Sequence, residues 1–457
     1  MDIPQDKIPA LVPSSPGHQF VMYGDSCSGV PGALHEQTFA SVNAIVRRLT
    51  PQPDFILFPG DEIIGLTPDL TALRAQWAHW FDVEMAWLDR QTIPVWHTTG
   101  NHTAYDTMSE DVFRDVLQLP DNGPDGQKGL SYWVRRGDLL MVFVHTLWTG
   151  LGGEGHVETE WLRSTLARHA DATHKIVLGH HPVYPINGFS GRYQREIGSE
   201  HTDEFWQILV DARVLAYICS HILAYDAQVH RGVLQICTAG AGTAHRMPDG
   251  VEYLHCIQAA LDRDGLRYQV LDTDGIARER LRWPPVFADD STTWRRVEAG
   301  RSDALLTGPV DAGAVVEFRI SGRTAARAWA PEQTLFTAHS PETIAPIWLG
   351  LRGAAQTLTL VVGRKPGRSP SYWLGPDMPA DVAFDIHVAF YPDMGPGGLL
   401  YRNHGDAAWT SFSSATATGV EGIHWPRSWS VGHGQHGAQD RPFKGTALSV
   451  GVHQGNF

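Results

Sequence analysis

From Gln19 to Asp272 short apolar runs alternate with stretches of helical period. Gln19 to Tyr23 reads as a strand, Leu34 to Leu49 as a helix, and Phe55-Ile56-Leu57-Phe58 as a buried strand. The helix predicted next runs from about Asp69 to Arg90, because Trp77, Trp80, Phe81, Glu84, Trp87 and Leu88 fall on one face. Thr67-Pro68-Asp69 supplies its cap, a first-turn proline and an acidic first turn. Ile93 to His97 is a strand and Glu110 to Leu117 a short helix. Leu130 to His145 reads as two strands joined at Arg136-Gly137-Asp138, an antiparallel hairpin. A helix near Glu158 to Arg168 leads into the strand Lys175 to Leu178, and a helix near Thr202 to Val210 into the strand Val214 to Cys219. From Val229 to Asp272 only strands follow. This order predicts two facing sheets with helices outside, an α/β sandwich of mixed strand direction.

The pattern breaks at Trp283-Pro284-Pro285. A polar, charged stretch follows, and from Ala314 onward only short strands with Gly/Pro turns appear, such as Val315 to Ile320, Thr357 to Val362 and Phe384 to Phe390. The expected organisation is therefore a catalytic α/β domain over 1–285, a linker over 286–310 and an all-β sandwich over 311–457.

Composition narrows the class of protein. The 457 residues suffice for two or three domains with full cores. Hydrophobic content of 42% and charged content of 19% describe an ordinary globular chain. A formal net charge of −14 with no basic stripe argues against a nucleic-acid partner, though not against a small phosphorylated substrate held by cations. No apolar run approaches bilayer length, so no membrane partner is expected. The polar start, Met1 to Lys7, lacks a signal-peptide core; the expectation is a cytoplasmic protein, or a secreted one if a leader has been trimmed. Cys219, Cys237 and Cys256 sit in apolar strands and read as buried thiols.

Five short blocks carry the chemistry, each following a predicted strand: Gly24-Asp25, Gly60-Asp61, Gly100-Asn101-His102, Gly179-His180-His181-Pro182 and Ser220-His221. Loops at the carboxyl edge of an open α/β sheet are where ligands gather. Asp25 and Asp61 offer anionic oxygens, and Asp61 has lone pairs enough to bridge two cations. Asn101 offers an amide oxygen, and His180 and His221 offer imidazole nitrogens. Such mixed ligation fits one or two transition metals, manganese, iron or zinc, better than an oxygen-seeking ion. A cation pair lowers the pKa of a bound water toward hydroxide and clamps both oxygens of an in-line displacement. His102, beside Asn101, is placed to protonate the leaving oxygen or to stabilise the transition state. His181 reads as support for His180 or a substrate contact. His245 and Tyr225 are further candidates for a place at the ligands or the substrate.

These blocks resemble those of the calcineurin-like metallophosphoesterases, and among them the purple acid phosphatases. The resemblance spans about Gln19 to Asp274 and includes Val21 to Asp25, Phe58 to Asp61, Thr99 to His102, Leu178 to Pro182, Ser220 to Tyr225 and Thr238 to Gly242. It implies an αββα four-layer sandwich with a dinuclear metal site, in which Asp61, Asn101, His180 and His221 complete one metal and His102 is the catalytic histidine. The other site departs from the family pattern. Cys27 and Leu223 stand where histidines are usual, Ile64 where purple acid phosphatases have a tyrosine, and Thr103 where a carboxylate follows the catalytic histidine. Cys27 is then a third ligand beside Asp25 and Asp61 if a metal ionises it, or a packed thiol.

Ala314 to Phe457 resembles the concanavalin A-like (laminin G-like) jelly rolls, through Trp429 to His433 and Pro442 to Leu448. That implies a partner that is a sugar or another domain, domain packing being the favoured role, with Trp373, Trp409 and Trp425 either stacking platforms or core, and with His433 and His436 in a Gly-rich turn. The expected function is a metal-dependent phosphoric ester hydrolase acting on a small phosphate ester. Its alternatives are another reaction at an iron or manganese centre on the same scaffold, or a weakly catalytic glycan-binding protein.

Overall fold

The computed structural model describes residues 7–186, 197, 199–243, 253–289, 292–299, 302–303, 314–326, 331–340, 343–362, 371–414, 428–436 and 439–454. The chain divides into two compact units. One comprises Met1–Ile186, Gly191–Ala227 and Val233–Pro284; the other comprises Asn187–Ser190, Gln228–Gly232 and Pro285–Phe457. No described helix is long and apolar enough to cross a membrane.

The first unit is mixed α/β. Besides the short pairs Ile8–Pro9 with Leu49–Thr50 and Leu147–Trp148 with Gly152–Glu154, its strands are β1 (His18–Met22), β2 (Phe55–Phe58), β3 (Val95–His97), β4 (Tyr132–Arg136), β5 (Leu139–Phe143), β6 (His174–Leu178), β7 (Ala216–Cys219), β8 (Tyr225–His230), β9 (Val233–Thr238), β10 (His255–Asp262), β11 (Gly265–Asp272) and β12 (Ala277–Trp283). They form two six-stranded sheets, ordered β12-β11-β10-β1-β2-β3 and β8-β9-β7-β6-β5-β4. β1, β2 and β3 are parallel, as are β5, β6, β7 and β9. The predicted hairpin is β4–β5, pairing Arg136 with Leu139.

Both faces of the central strands are buried. Val21, Ile56 and Phe58 point into a core shared with the helices α1 (Leu34–Arg48), α2 (Leu70–His79) and α3 (Thr107–Leu117). Phe20, Met22, Phe55 and Leu57, on the other face, are equally inaccessible. There Trp96 meets Tyr132 and Phe143 at 6.4 and 6.5 Å, so side chains of the two sheets touch. On the second sheet, Phe205 and Trp206 of α4 (Ser199–Asp211) pack edge-on against Tyr217 of β7.

Helix starts follow local chemistry. Asp69 accepts from the Thr71 and Ala72 amides at the head of α2, and Asp106 and Ser109 form a reciprocal capping box on α3. The long helix expected to reach Arg90 does not run that far. α2 stops at His79 and one π turn, Trp80–Glu84, continues it. The extra residue in that turn keeps Trp77 and Trp80 in the core and swings Glu84 onto the loop after Cys27.

The second unit is built from strands paired antiparallel throughout the described residues, in a six-stranded and a seven-stranded sheet. Both sheets feed one core, with Phe318 stacked on Phe336 at 4.8 Å. The stretch expected as a linker contains the strands Arg295–Glu298 and Ser302–Asp303, which pair with Thr446–Gln454 and Ser428–Val431. Val297 is buried between exposed Arg296 and Glu298, a strand alternation hidden under charge. Trp373 and Trp409 are 0% and 3% exposed, so they are core and not open stacking platforms. Trp425 lies outside the described residues, as does the side chain of His436; His433 is half-buried.

Candidate metal centre

The five blocks leave the carboxyl ends of β1, β2, β3, β6 and β7, parallel strands drawn from both sheets. Turning sharply there forces unusual backbone. Asp25, Asp61 and His221 hold φ of 61°, 58° and 65°, and Cys27 holds 40°. For residues with a Cβ this left-handed region costs about 1–2 kcal/mol each, strain that recurs where side chains are aimed for function. Two neighbouring glycines make room. A Cβ on Gly60 (φ 94°) would lie 2.7 Å from His180 Nδ1, and one on Gly100 would lie 2.1 Å from Asp61 Oδ1.

His180 organises the centre. Its Nδ1 donates to the Pro59 carbonyl at 2.9 Å, which turns Nε2 toward the other block residues. Nε2 lies 3.1 Å from Asn101 Oδ1, 3.2 Å from Asp61 Oδ2 and 3.2 Å from His221 Nδ1. Four ligand-type atoms thus converge. Burial alone would push the imidazole down, yet Asp61 and Asp25 outweigh it and lift His180 to about 9. In the metal-free chain a proton on Nε2 therefore supplies the positive charge that this donor set calls for. The donors fit a transition metal on the same grounds, since amide oxygen, carboxylate and two imidazoles meet at one point.

Asp25 and Asp61 differ in environment. Burial raises the Asp61 carboxyl, but His180, His102 and their hydrogen bonds overcome it and hold the group well below the usual range. Burial lifts Asp25 to about 6 against the pull of His180, with Asp61 adding to the rise. Asp25 Oδ2 accepts from the His221 amide at 2.7 Å and from the Ser220 hydroxyl. Asp25, Asp61 and His180 offer ligand atoms within 4.8 Å of one another, as do His180, His181 and His221, and Cys27, Asp61 and His102. The Cys27 thiol is buried and, by burial and then the two carboxylates, pushed well above its ordinary value. It is a thiol unless a metal ionises it. Leu223 is half-buried in the turn after His221 and brings no ligand atom.

His102 lies at the rim. Its amide donates to Asp61 Oδ1 at 2.8 Å and its Nδ1 donates to the Ile64 carbonyl at 2.7 Å, leaving Nε2 for other work. Thr103 turns back on its own loop, its hydroxyl accepting from the Gly100 amide at 2.9 Å. His181 Nδ1 lies 2.8 Å from the Thr146 hydroxyl, and its ring is 4.4 Å from that of His221. The Tyr225 hydroxyl meets that of Tyr268 at 2.8 Å. His245 lies outside the described residues.

Several supporting residues were missed. Ser220 anchors Asp25, Thr146 orients His181, and buried Glu62 meets His97 Nδ1 at 2.8 Å directly behind Asp61. Ser220 stood in the fifth block without a role of its own, and Thr146 follows β5 at the same sheet edge as the other blocks, a signal that could have found it.

Residues 19–225 match the model of the calcineurin-like phosphoesterase family. No curated protein matches the chain. Among solved structures it is similar to a purple acid phosphatase isolated from yellow lupin (Lupinus luteus) seeds, with 13% identity and a TM-score of 0.43 over 59% of this chain and 54% of that one. It is also similar to a dimetal phosphatase from Danio rerio, with 14% identity and a TM-score of 0.43 over 59% of this chain and 100% of that one. The alignment thus spans about half the length of the lupin protein.

Proposed function

We propose that this chain is a metal-dependent hydrolase of phosphoric mono- or diesters, with Asp61, Asn101, His180 and His221 holding one metal and Asp25, Asp61 and Cys27 flanking a second position. The observation that carries the reading is the approach of Asn101 Oδ1, Asp61 Oδ2 and His221 Nδ1 to within 3.1–3.2 Å of one imidazole nitrogen. The family match over residues 19–225 supports the same reaction class. When bound, a transition metal supplies Lewis-acid polarisation of the phosphoryl oxygens and acidifies water. The chain's own residues do the rest. Asp61 is kept ionised by His180 and His102 and is available to two cations. Pro59 fixes the His180 tautomer. His102, tethered through Nδ1 to Ile64, is oriented to serve through Nε2 as proton donor to the leaving oxygen.

The test is hydrolysis of an aryl phosphate by the full chain with added manganese or iron against a chelated control, alongside metal analysis. Metal-stimulated turnover that falls about 10²–10⁴-fold in His102→Ala is the expected result. Full activity in His102→Ala overturns the assignment of the proton donor. A second reading, a different reaction at the same centre, is favoured by Cys27 and Leu223 at positions where the family resemblance expects histidine. Tightly bound metal with no phosphatase activity would select it. A concanavalin A-like, glycan-binding role for the second unit stands as a companion proposal, testable by glycan-array binding.

A further inference from the structure

Eleven large hydrophobic side chains are exposed among the described residues, and five of them fall on two segments that adjoin the loop carrying His102. Ile64, Leu66 and Leu70 follow the Asp61 turn. Trp148 and Leu151 sit on the hairpin that leaves Thr146, the residue that orients His181. Both segments press on the loop that carries His102. The Ile64 carbonyl accepts a hydrogen bond from His102 Nδ1, and Gly65 lies so close that a Cβ there would stand 1.6 Å from the His102 carbonyl oxygen. The Tyr105 hydroxyl donates to the Thr67 carbonyl at 2.5 Å, and Gly152 of the hairpin packs against the Tyr105 carbonyl. Leu66 is held at φ 49° and Leu151 is 82% exposed, so neither position is explained by the core. Clustered exposed apolar side chains mark a surface that meets an apolar ligand.

We propose that Ile64, Leu66, Trp148 and Leu151 form an apolar rim that receives the alcohol portion of the ester, making phosphate esters of aryl or long-chain alkyl alcohols the preferred substrates. The inference rests on the phosphoesterase reading of the same centre. The group that His102 protonates is the leaving oxygen, so the alcohol it belongs to must extend past His102 and over the residues adjoining it. Those side chains offer hydrocarbon, with the Trp148 indole stacked on His156 at 4.2 Å, and beyond the indole N–H no polar group to match the hydroxyls of a sugar or nucleoside. In the reaction the P–O bond to the alcohol breaks, a new P–O bond forms to water, and the alcohol leaves with the proton from His102.

Calorimetric titration of the full-length protein with phenylphosphonate and 4-butylphenylphosphonate reads the rim without turnover, and kcat/KM for the corresponding aryl phosphates reads it with turnover. The butyl compound is expected to be favoured about tenfold in both. The double variant Leu66→Asn, Leu151→Ser, in which asparagine tolerates the left-handed backbone, is expected to bring the ratio within about twofold. Its denaturation midpoint reports on folding, and Ile276→Ser, an exposed apolar residue elsewhere, is expected to keep the ratio. Equal binding of the two phosphonates by the wild type, or a preference that survives the double variant, overturns the rim. A tenfold binding preference without hydrolysis of either ester supports the rim and overturns the phosphoesterase reading instead.

Discussion

The charge balance around His180 sets what the pocket holds, and it depends on backbone that admits no side chain at Gly100. Gly100→Ala places a carbon against Asp61 Oδ1 and the Asp61 amide, at 2.1 and 2.6 Å, so the carboxylate must rotate away from Nε2 of His180. We expect the variant to fold and to lose bound metal, read as metal per chain after dialysis; metal retained in full would contradict the geometry. A second residue-scale prediction concerns His255, which is fully buried between the Tyr253 carbonyl and the Thr238 hydroxyl. Burial pushes its imidazole down to about 4, below the unfolded value. Between those values the unfolded chain binds a proton that the folded chain refuses, so stability rises with pH and is lost as pH falls from about 6.5 toward 4. His255→Gln removes this dependence. Relative to the variant, wild type should lose about 3 kcal/mol between pH 7 and pH 4, measured by denaturant unfolding at both values. The shared changes at Asp25 and other carboxyls cancel in that difference. The block residues Asp25, Asp61, Asn101, His102, His180 and His221 were legible because each is a ligand type directly after an apolar run. The roles of Ser220, Thr146 and the Pro59 carbonyl were not, because the partners that define those roles are 35 or more positions away in the chain.

Elements show where periodicity suffices and where it misleads. The spacing of Trp77, Trp80, Phe81, Glu84 and Trp87 fits a continuous helix, and a single inserted residue is invisible to an i, i+3, i+4 pattern. The π turn at Trp80–Glu84 matters because of what it holds. Glu84 accepts from the Ser28 hydroxyl at 2.7 Å and the Gly29 amide at 3.0 Å, tying down the loop that carries Asp25 and Cys27. Removing the carboxylate leaves both donors without it. Glu84→Ala should therefore cost about 1–3 kcal/mol in denaturant unfolding. It should also weaken metal retention, whereas Val83→Ala, at the exposed neighbour, should alter neither. The strand Arg295–Glu298 was hidden for a different reason: one buried valine among charged neighbours has too short a period to outweigh its composition.

At the scale of the molecule, the order of strands and helices was enough to anticipate two sheets and a later all-strand region. It could not show that β10, β11 and β12 add antiparallel strands to the sheet begun by β1, since that pairing joins residues more than 200 positions apart. The candidate ligands come from loops after strands of both sheets, so a bound metal links β1, β2 and β3 to β6 and β7. Binding to the folded state alone stabilises it by mass action, about 2.7 kcal/mol at a free metal concentration 100 times Kd. The second unit has its own core and contains none of these ligands. Calorimetry should therefore resolve a metal-dependent transition, raised by roughly 5–10 °C on manganese or iron addition and lowered by chelator. A transition belonging to residues 285–457 should stay in place. If Asp61→Asn, which keeps the shape of the side chain and halves its claim on a cation, abolishes the metal-induced rise while the other transition holds, the stabilisation originates at this centre. A rise that persists in Asp61→Asn would place the stabilising metal elsewhere in the chain.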